Sequence, residues 1–506
     1  MRVGVEVSTP KIRLRYAALI NYASMIYRML VAVGFVVVVA RRLPVSEFGL
    51  WGIMLSASLM LSAPVSIWSY WSRRYYVRGK TEASGTGLIL TIIYFIPLSL
   101  MYVGLAYFES SVIGWGLTEL LLALPIPLLV ALDSYLTAFS VVIKPELIGY
   151  KRLVYETLRL TAAYVTVVIV GLKYLGAVLA VMLAFLVSIT YCTYVLRRHG
   201  AVNTRFSLDL VREWLKASYV PAIGIINGFL RSALRVIVSW VTGSEVPVAY
   251  LNVALSAEAP VQASGSVASA LYARMLRERR ASDVEESMRL LLLTGGYMIV
   301  VFSVLSKPIA SLYNPQYMTA SILIVIVALY SLINALFGIY GSALTGSDLA
   351  DVNGLKSHKH LLRSYLFKVP VLALGSTASA YAVSAPIGYA VRSNFLLVPL
   401  IFLAAYAATS AVSLTIVYRM TLREMMFSLP LREVIATTVS AALMAAYFTV
   451  FSVHEVTIKH FWVDAPKLAV HLAVGTLVYL AGQALSSRWF KNLLKSVVVT
   501  VSGGRS

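Results

Sequence analysis

Charged residues, acidic residues and cysteine are all scarce in this sequence. Only 13% of its 506 residues are charged and 59% are hydrophobic, whereas about 25% of the residues in a soluble globular protein are charged. This composition excludes a soluble globular fold and indicates an integral membrane protein. The single cysteine, Cys192, lies within an apolar run, so a disulfide framework and a cysteine-based metal site are also excluded.

The motifs that carry most catalytic chemistry are missing as well. The sequence contains no Walker loop, no nucleophile elbow and no histidine spacing typical of a metal site. The predicted outer loops lack the acidic residues with which a membrane glycosyltransferase holds a metal-bound donor. We therefore expect no metal, no cofactor and no enzymatic activity.

Long apolar runs fill most of the chain and predict an all-α integral membrane protein with about 14 transmembrane helices. Runs of this length suit helices and are too continuously apolar for the strands of a membrane barrel. Pro125 and Pro127 interrupt the fourth run, and a loop around Pro386 is predicted between the eleventh and twelfth. The runs are 16–40, 46–70, 84–107, 115–141, 150–171, 174–196, 217–241, 247–273, 289–306, 318–346, 361–383, 395–418, 432–452 and 466–486.

The net charge of +21 is explained by membrane topology rather than by nucleic acid, and no nucleic-acid partner is expected. With a cytoplasmic N-terminus, 31 of the 43 Lys and Arg residues fall at the cytoplasmic side, 7 at the outer side and 5 in the interior of the predicted helices, when residues near the ends of a run are counted with the adjoining loop. Cytoplasmic loops of membrane proteins carry such an excess. We therefore predict a multi-pass plasma-membrane protein with both termini in the cytoplasm.

A weak internal repeat suggests two related halves. Leu55-Ser56-Ala57 recurs as Leu255-Ser256-Ala257, and Arg74 recurs as Arg274. Two pseudo-symmetric six-helix lobes followed by two further helices fit this pattern. The predicted divisions are a cytoplasmic segment 1–15, an N-terminal lobe 16–196, a basic linker 197–216 with a short interfacial helix, a C-terminal lobe 217–418, and helices 13 and 14 with a tail in 419–506.

Three arginines lie in the middle of apolar runs, away from either end, and are the strongest candidates for binding a phosphate. Arg28 lies in the first run, and Arg231 and Arg235 lie four residues apart in the seventh, where a continuous helix would place them on one face. A guanidinium at bilayer depth is tolerated where it faces a polar cavity or a partner, and its planar fork suits phosphate. The alternative is that each arginine pairs with an acidic residue or extends toward the membrane surface.

Other candidates are weaker. Glu258 could bind a coupling proton or cation or neutralise an arginine, and Pro260 is expected to open the helix beside it. Lys368 and Asp133 are weaker candidates for a coupling or counter-charge role. Glu156 and Arg159 are predicted to form a local ion pair. The aromatic and basic cluster at the predicted inner membrane edge is either an interfacial belt or a substrate entrance that contacts sugar. Its candidate residues are Trp68, Trp71, Arg73 and Arg74.

Two short motifs resemble the polysaccharide-exporter and oligosaccharide-flippase family of the multidrug/oligosaccharidyl-lipid/polysaccharide superfamily. Ala40-Arg41-Arg42-Leu43-Pro44-Val45-Ser46-Glu47-Phe48-Gly49 is similar to that family's arginine, leucine and aromatic–glycine pattern after its first helix. Leu312-Tyr313-Asn314-Pro315-Gln316-Tyr317, with Ala320, resembles the tyrosine-containing segment before its tenth helix.

The resemblance implies two six-helix lobes around a cationic cavity, with rocker-switch alternating access. It implies a lipid-linked oligosaccharide as substrate, with its phosphate near Arg28 and Arg231 on the cavity-lining first and seventh helices. In the peptidoglycan lipid flippase of this superfamily the last two helices form a groove for the lipid tail, and helices 13 and 14 here could do the same. Multidrug exporters of the superfamily use acidic residues for cationic drugs, and Glu258 keeps that branch open.

The favoured function is therefore a flippase for a polyprenyl- or dolichyl-(pyro)phosphate-linked oligosaccharide. Its partners would be this lipid, membrane lipids and glycosyltransferases of the same pathway. A proton- or sodium-coupled exporter of organic cations is the alternative, and a membrane glycan polymerase is the least favoured because acidic outer loops are missing.

Overall fold

The computed structural model describes residues 14–77, 79–144, 146–201, 203–216, 218–266, 271–272, 274–275, 279–348 and 362–503. In these residues the chain forms helices joined by short turns, without a strand. The first half contains α1 (Leu14–Arg42), α2 (Val45–Ser62), α3 (Val65–Val77), α4 (Glu82–Ile113), α5 (Leu117–Leu121), α6 (Pro125–Ile143), α7 (Leu147–Ala163), α8 (Lys173–Arg198), α9 (Leu208–Lys216), α10 (Tyr219–Ser232), α11 (Leu234–Thr242) and α12 (Val246–Leu255).

The second half contains α13 (Glu258–Ala263), α14 (Ala281–Val304), α15 (Ser306–Tyr313), α16 (Ser321–Ser347), α17 (Tyr365–Ala390), α18 (Leu397–Glu424), α19 (Leu431–Val450), α20 (Phe461–Ser486) and α21 (Arg488–Gly503). One π-helical segment, Tyr164–Ile169, continues α7.

The predicted all-α membrane fold is confirmed, and each of the fourteen apolar runs is mainly helical in the residues that the structure describes. Among the described residues, ten helices are long and apolar enough to cross a membrane, or eleven if one bent pair counts as a single span. The count of fourteen spans stays a prediction, because α1 is not among these helices and α7, α12 and α13 are shorter pieces of their runs. The predicted short helix in the basic linker is present as α9.

Proline marks one helix boundary correctly and another wrongly. In the fourth run α6 begins at Pro125, where a missing N–H has no cost. The predicted loop around Pro386 is wrong, because α17 continues through Pro386 to Ala390. A proline inside a membrane helix frees one carbonyl, and neighbouring backbone and hydroxyl groups can compensate for it.

The chain divides into two compact units, Met1–Ala249 and Tyr250–Ser506. In the first unit α1 packs against α7, α7 against α8, and α10 and α11 against α2. The predicted lobe boundaries, including 1–15, of which residues 1–13 lie outside the described residues, stay a prediction.

The motif of residues 40–49, which resembles the flippase family, has a structural role in this unit. The Glu47 carboxylate accepts the Tyr174 backbone N–H at 2.9 Å, in the first turn of α8. A Cβ atom on Gly49 would lie 2.1 Å from the carbonyl oxygen of Glu245, so only glycine permits this close approach.

In the second unit α16 packs against α18, α17 against α18, and the last long pair, α19 and α20, against each other. That pair is joined to α14 through polar contacts. Tyr479 donates its hydroxyl proton to the carbonyl of Leu293 at 2.7 Å, and Tyr297 and Thr476 share a 2.8 Å hydrogen bond.

Candidate functional site

Arg28 lies on α1 and faces an acidic residue on α7. Its Nε atom is 3.5 Å from Glu156 Oε1, and its side chain is 56% exposed, whereas that of Glu156 is 4% exposed. The predicted ion pair between Glu156 and Arg159 is confirmed at 2.6 Å. Two guanidinium groups therefore share one carboxylate.

A third arginine, which the sequence analysis did not single out, joins this group. Arg152 is close enough to interact electrostatically with both Arg28 and Glu156. The spacing Arg152, Glu156, Arg159 places all three residues on one helix face, a signal that the sequence does contain. Among the described residues Glu156 is the only acidic partner of these arginines, so the group keeps a positive charge.

The Arg159 guanidinium is held in place by two aromatic rings, but not all of its N–H groups donate a hydrogen bond. It stacks over the rings of Phe35 and Tyr155, at 4.4 and 5.3 Å from their centroids. Its buried Nε donates no hydrogen bond within the described residues. We name Arg28, Arg152, Glu156 and Arg159 the α1–α7 cationic cluster.

Arg231 and Arg235 flank a break in the seventh run. The prediction that they share one continuous helix face is wrong, because α10 ends at Ser232, α11 begins at Leu234, and the two segments are bent by 43°. The turn is tightened at Ala233, whose N–H donates to the carbonyls of both Phe229 and Leu230, at 3.0 and 3.1 Å. Both arginines are partly buried.

A hydroxyl group from another helix donates a hydrogen bond to a backbone carbonyl at this break. Ser56 of α2 is fully buried and donates to the carbonyl of Ser232 at 2.5 Å. Helices broken at membrane depth leave backbone groups and helix ends available to ligands, as at the sites of many transporters. The segment thus combines a helix break with an arginine on each side.

Glu258 lies directly after a second break. The helix α12 ends at Leu255, Ser256 and Ala257 form a turn, and Glu258 opens α13, in agreement with the predicted effect of Pro260. Gln262 Nε2 donates to the Glu258 carboxylate at 2.7 Å.

The motif of residues 312–317, the second that resembles the flippase family, contacts this break. The hydroxyl of Tyr313 donates to Ser256 Oγ at 2.7 Å, and burial raises the pKa of Tyr313 to about 12, so it stays a donor at neutral pH. The Asn314 side chain accepts the Gln316 N–H at 3.2 Å and begins the 3-10 turn Pro315–Ala320.

The remaining intramembrane charges have separate environments. Asp133 on α6 forms a 2.6 Å ion pair with Lys151 on α7, and these side chains are 21% and 7% exposed. Lys151 also donates to Thr137. Lys368 is exposed and lies 5.5 Å from the centroid of the Tyr365 ring.

The aromatic residues of α3 pack against one another and against rings of α4, α6 and α9. Trp68 donates its indole N–H to Thr91 at 2.8 Å, and Trp71 packs edge-on against Tyr70 and Tyr75. Together with Trp214 of α9 they belong to a small hydrophobic core.

The two arginines of α3 lie beside the same aromatic residues, Arg73 partly buried and Arg74 exposed. Arg73 and Arg74 lie over the Tyr70 ring and border an open depression of about 340 Å³, which is also lined by Val77, Val141 and Val142. The proposed sugar contact or entrance at this position stays a prediction.

Fold and geometry together define a polytopic all-α membrane protein with two interrupted helices and arginines within its apolar runs. Its structure is similar to that of the lipid II flippase MurJ in an inward closed conformation, with a TM-score of 0.64 and 12% identity, over 94% of this chain and 100% of the MurJ chain. It is also similar to an inward-facing multidrug resistance transporter of the MATE family in the MOP superfamily, with a TM-score of 0.58 and 13% identity, over 80% of this chain and 98% of that one.

A MATE protein in complex with MaL6 gives a TM-score of 0.51 at 14% identity, over 81% of this chain and 95% of that one. These structures belong to transporters and a flippase rather than to enzymes. At identities this low, the structural similarity establishes a shared fold alone. No protein-family model and no curated protein matches the sequence.

Proposed function

We propose that this chain is a flippase that moves a polyprenyl- or dolichyl-(pyro)phosphate-linked oligosaccharide from the cytoplasmic to the outer leaflet of the plasma membrane by alternating access. The observation that carries the proposal is the α1–α7 cationic cluster, in which three arginines surround one carboxylate. A surplus of fixed positive charge in a membrane protein favours an anionic ligand. The buried Nε of Arg159 offers an additional donor.

A phosphate group needs such donors during translocation. Moving a bare pyrophosphate through hydrocarbon is strongly unfavourable, because its charge loses its hydration. Arginine replaces that hydration with charge-assisted, bidentate hydrogen bonds. In this proposal the α1–α7 cationic cluster, which includes Arg28, receives the phosphate. Arg231 and Arg235 then hold it at the broken helix, while the lipid tail stays in the membrane.

The same proposal assigns roles to the weaker candidates. Arg73 and Arg74 would attract the headgroup at an entrance beside Trp68 and Trp71. Helices α19 and α20 would accommodate the lipid tail, and glycosyltransferases of the pathway would supply the substrate.

The test is translocation of a fluorescent polyprenyl diphosphate-linked oligosaccharide by purified protein in liposomes. The double variant Arg28→Ala/Arg231→Ala is expected to lose most of its activity, because each lost charge-assisted contact costs about 1.5–3 kcal/mol, roughly a 10- to 100-fold change. Arg198→Ala, an exposed arginine at the end of α8, is the control and should keep the normal rate. A double variant with an unchanged rate would contradict the proposal.

The second candidate is a proton- or sodium-coupled exporter of organic cations. It is favoured by Glu258, a carboxyl group at a helix break. Efflux of a fluorescent organic cation that Glu258→Gln abolishes, without any effect on the labelled lipid, would support this function instead.

A further inference from the structure

A buried carboxyl group near the end of α4 has a hydrogen-bonding environment of its own. Glu109 is fully buried, at 0% exposure. The indole Nε1 of Trp240 on α11 donates to Glu109 Oε1 at 2.8 Å, and Ser239 Oγ lies 3.3 Å from both carboxyl oxygens. The ring of Phe108 packs edge-on against Trp240 at 5.2 Å and keeps the indole in position.

Within the part of the chain that the structure describes, no cation pairs with Glu109. The charged groups on helices that pack against α4 are Glu47 on α2, Arg73 and Arg74 on α3, Glu119 on α5, Asp133 on α6, Asp209, Arg212, Glu213 and Lys216 on α9, and Arg235 on α11, and α4 itself carries Glu82. The charges of α3 and α9 lie near Ala83, about 39 Å along the helix axis from Glu109. None of these groups neutralises the carboxyl group.

The hydrogen bonds fit the protonated acid better than the carboxylate. Ser239 has one hydroxyl proton, and the carbonyl of Val236 accepts it at 2.7 Å, closer than either carboxyl oxygen. Ser239 Oγ can then accept a proton from Glu109 Oε2 while Oε1 accepts from Trp240. A carboxylate in this site would have no cation beside it. Its Oε2 would receive a hydrogen bond only if the Ser239 hydroxyl turned away from the Val236 carbonyl.

We infer that Glu109 is a proton-binding site and that its protonation controls how α11 is attached to α4. This inference rests on the proposed function, because it names the coupling ion of that transport. Protonation forms one O–H bond at Oε2. When this proton leaves, the Ser239 hydroxyl must donate to the carboxylate instead of to the Val236 carbonyl. Since α11 is one arm of the broken helix, this exchange acts on the segment that carries Arg235.

The geometry also selects a proton over a metal cation. A metal ion takes several oxygen ligands, whereas Glu109 faces one hydroxyl and one indole N–H. An N–H donor repels a metal ion but is compatible with a neutral acid. Glu258 differs from Glu109, because it is only partly buried.

The first test follows the carboxyl group directly, by infrared spectroscopy of the intact protein in lipid. At neutral pH the wild type should show the C=O stretch of a protonated carboxylic acid, and Glu109→Gln should lack it. Glu213→Gln, an exposed and ion-paired carboxylate on α9, is the control and should keep the band. In Trp240→Phe the band should move to higher frequency, because its C=O loses a hydrogen bond. A band that is unchanged in Glu109→Gln would overturn the inference.

The second test measures coupling, with the fluorescent polyprenyl diphosphate-linked oligosaccharide in liposomes under an imposed pH gradient. The gradient should raise the rate several-fold in the wild type and in Glu213→Gln, but not in Glu109→Gln. Stimulation that persists in Glu109→Gln, is lost only in Glu258→Gln, or is missing in the wild type would overturn the coupling role. If the wild type moves no probe at any pH, the proposed function fails, and the infrared result decides the proton site.

Discussion

At the scale of single residues, the charges within the membrane helices fall into two kinds. Asp133 and Lys151 form a closed pair at 2.6 Å, with Thr137 as a further acceptor for the lysine. The α1–α7 cationic cluster is open, because Glu156 cannot neutralise three arginines. A closed pair stabilises the fold and an open group favours a ligand, so Asp133 is better explained as a structural residue than as a coupling site.

Breaking the closed pair is expected to destabilise the protein strongly. Lys151→Met leaves the Asp133 charge without its cation, and removal of one partner of a buried pair typically costs about 3–5 kcal/mol. Lys80→Met, at an exposed pair 3.7 Å from Glu213, is the matched control and should cost about 1 kcal/mol or less.

Thermal unfolding of the purified variants measures both effects. The double variant Asp133→Asn/Lys151→Met should recover much of the loss and should still translocate lipid. Equal unfolding temperatures for Lys151→Met and Lys80→Met would contradict the structural explanation.

At the scale of helices, the features on which the proposed function depends are two breaks. Ala233 separates α10 from α11, and Ser256 with Ala257 separates α12 from α13. Pro260 made the second break predictable from sequence. The first was not predictable, because the proline of that run, Pro221, lies about three helical turns before Ala233, and the compensating donor, Ser56, is 176 residues away from Ser232.

The same contrast explains which site residues could be identified from sequence. Intramembrane arginines are visible in any apolar run, and the pair of Glu156 with Arg159 follows from helical spacing. The approach of α1 to α7, which gives Arg28 its partner, is a tertiary contact that no local pattern records.

The Ser56 hydroxyl is expected to stabilise the bent form of the seventh run. Ser56→Ala removes the donor to the Ser232 carbonyl and should cost about 1–3 kcal/mol, the penalty for an unsatisfied buried acceptor. Ser58→Ala is a close control, because Ser58 is equally buried but donates to Met54, a carbonyl of its own helix. Thermal unfolding should therefore show a larger loss for Ser56→Ala, and a larger loss for Ser58→Ala would show that the bond to α10 contributes little.

At the scale of the whole molecule, hydropathy predicted the fold class because lipid leaves the backbone no partner outside helices or closed barrels. Each apolar run is mainly helical where described, and the structure shares its fold with MurJ and a MATE transporter at identities of 12% and 13%. Pattern alone did not show which helices pack together: α10 and α11 pack against α2 in the first compact unit.

The distribution of basic residues makes a prediction about the whole molecule that single-cysteine labelling can test. In a Cys192→Ala background, Lys459→Cys lies between α19 and α20 on the predicted outer side, and Glu213→Cys lies on α9 on the predicted inner side; both positions are exposed. A membrane-impermeant maleimide should label Lys459→Cys on intact cells, and Glu213→Cys only after permeabilisation. The reverse pattern would place the 31 basic residues outside, against the usual retention of Lys and Arg in the cytoplasm, and would reverse the direction of transport inferred for the lipid.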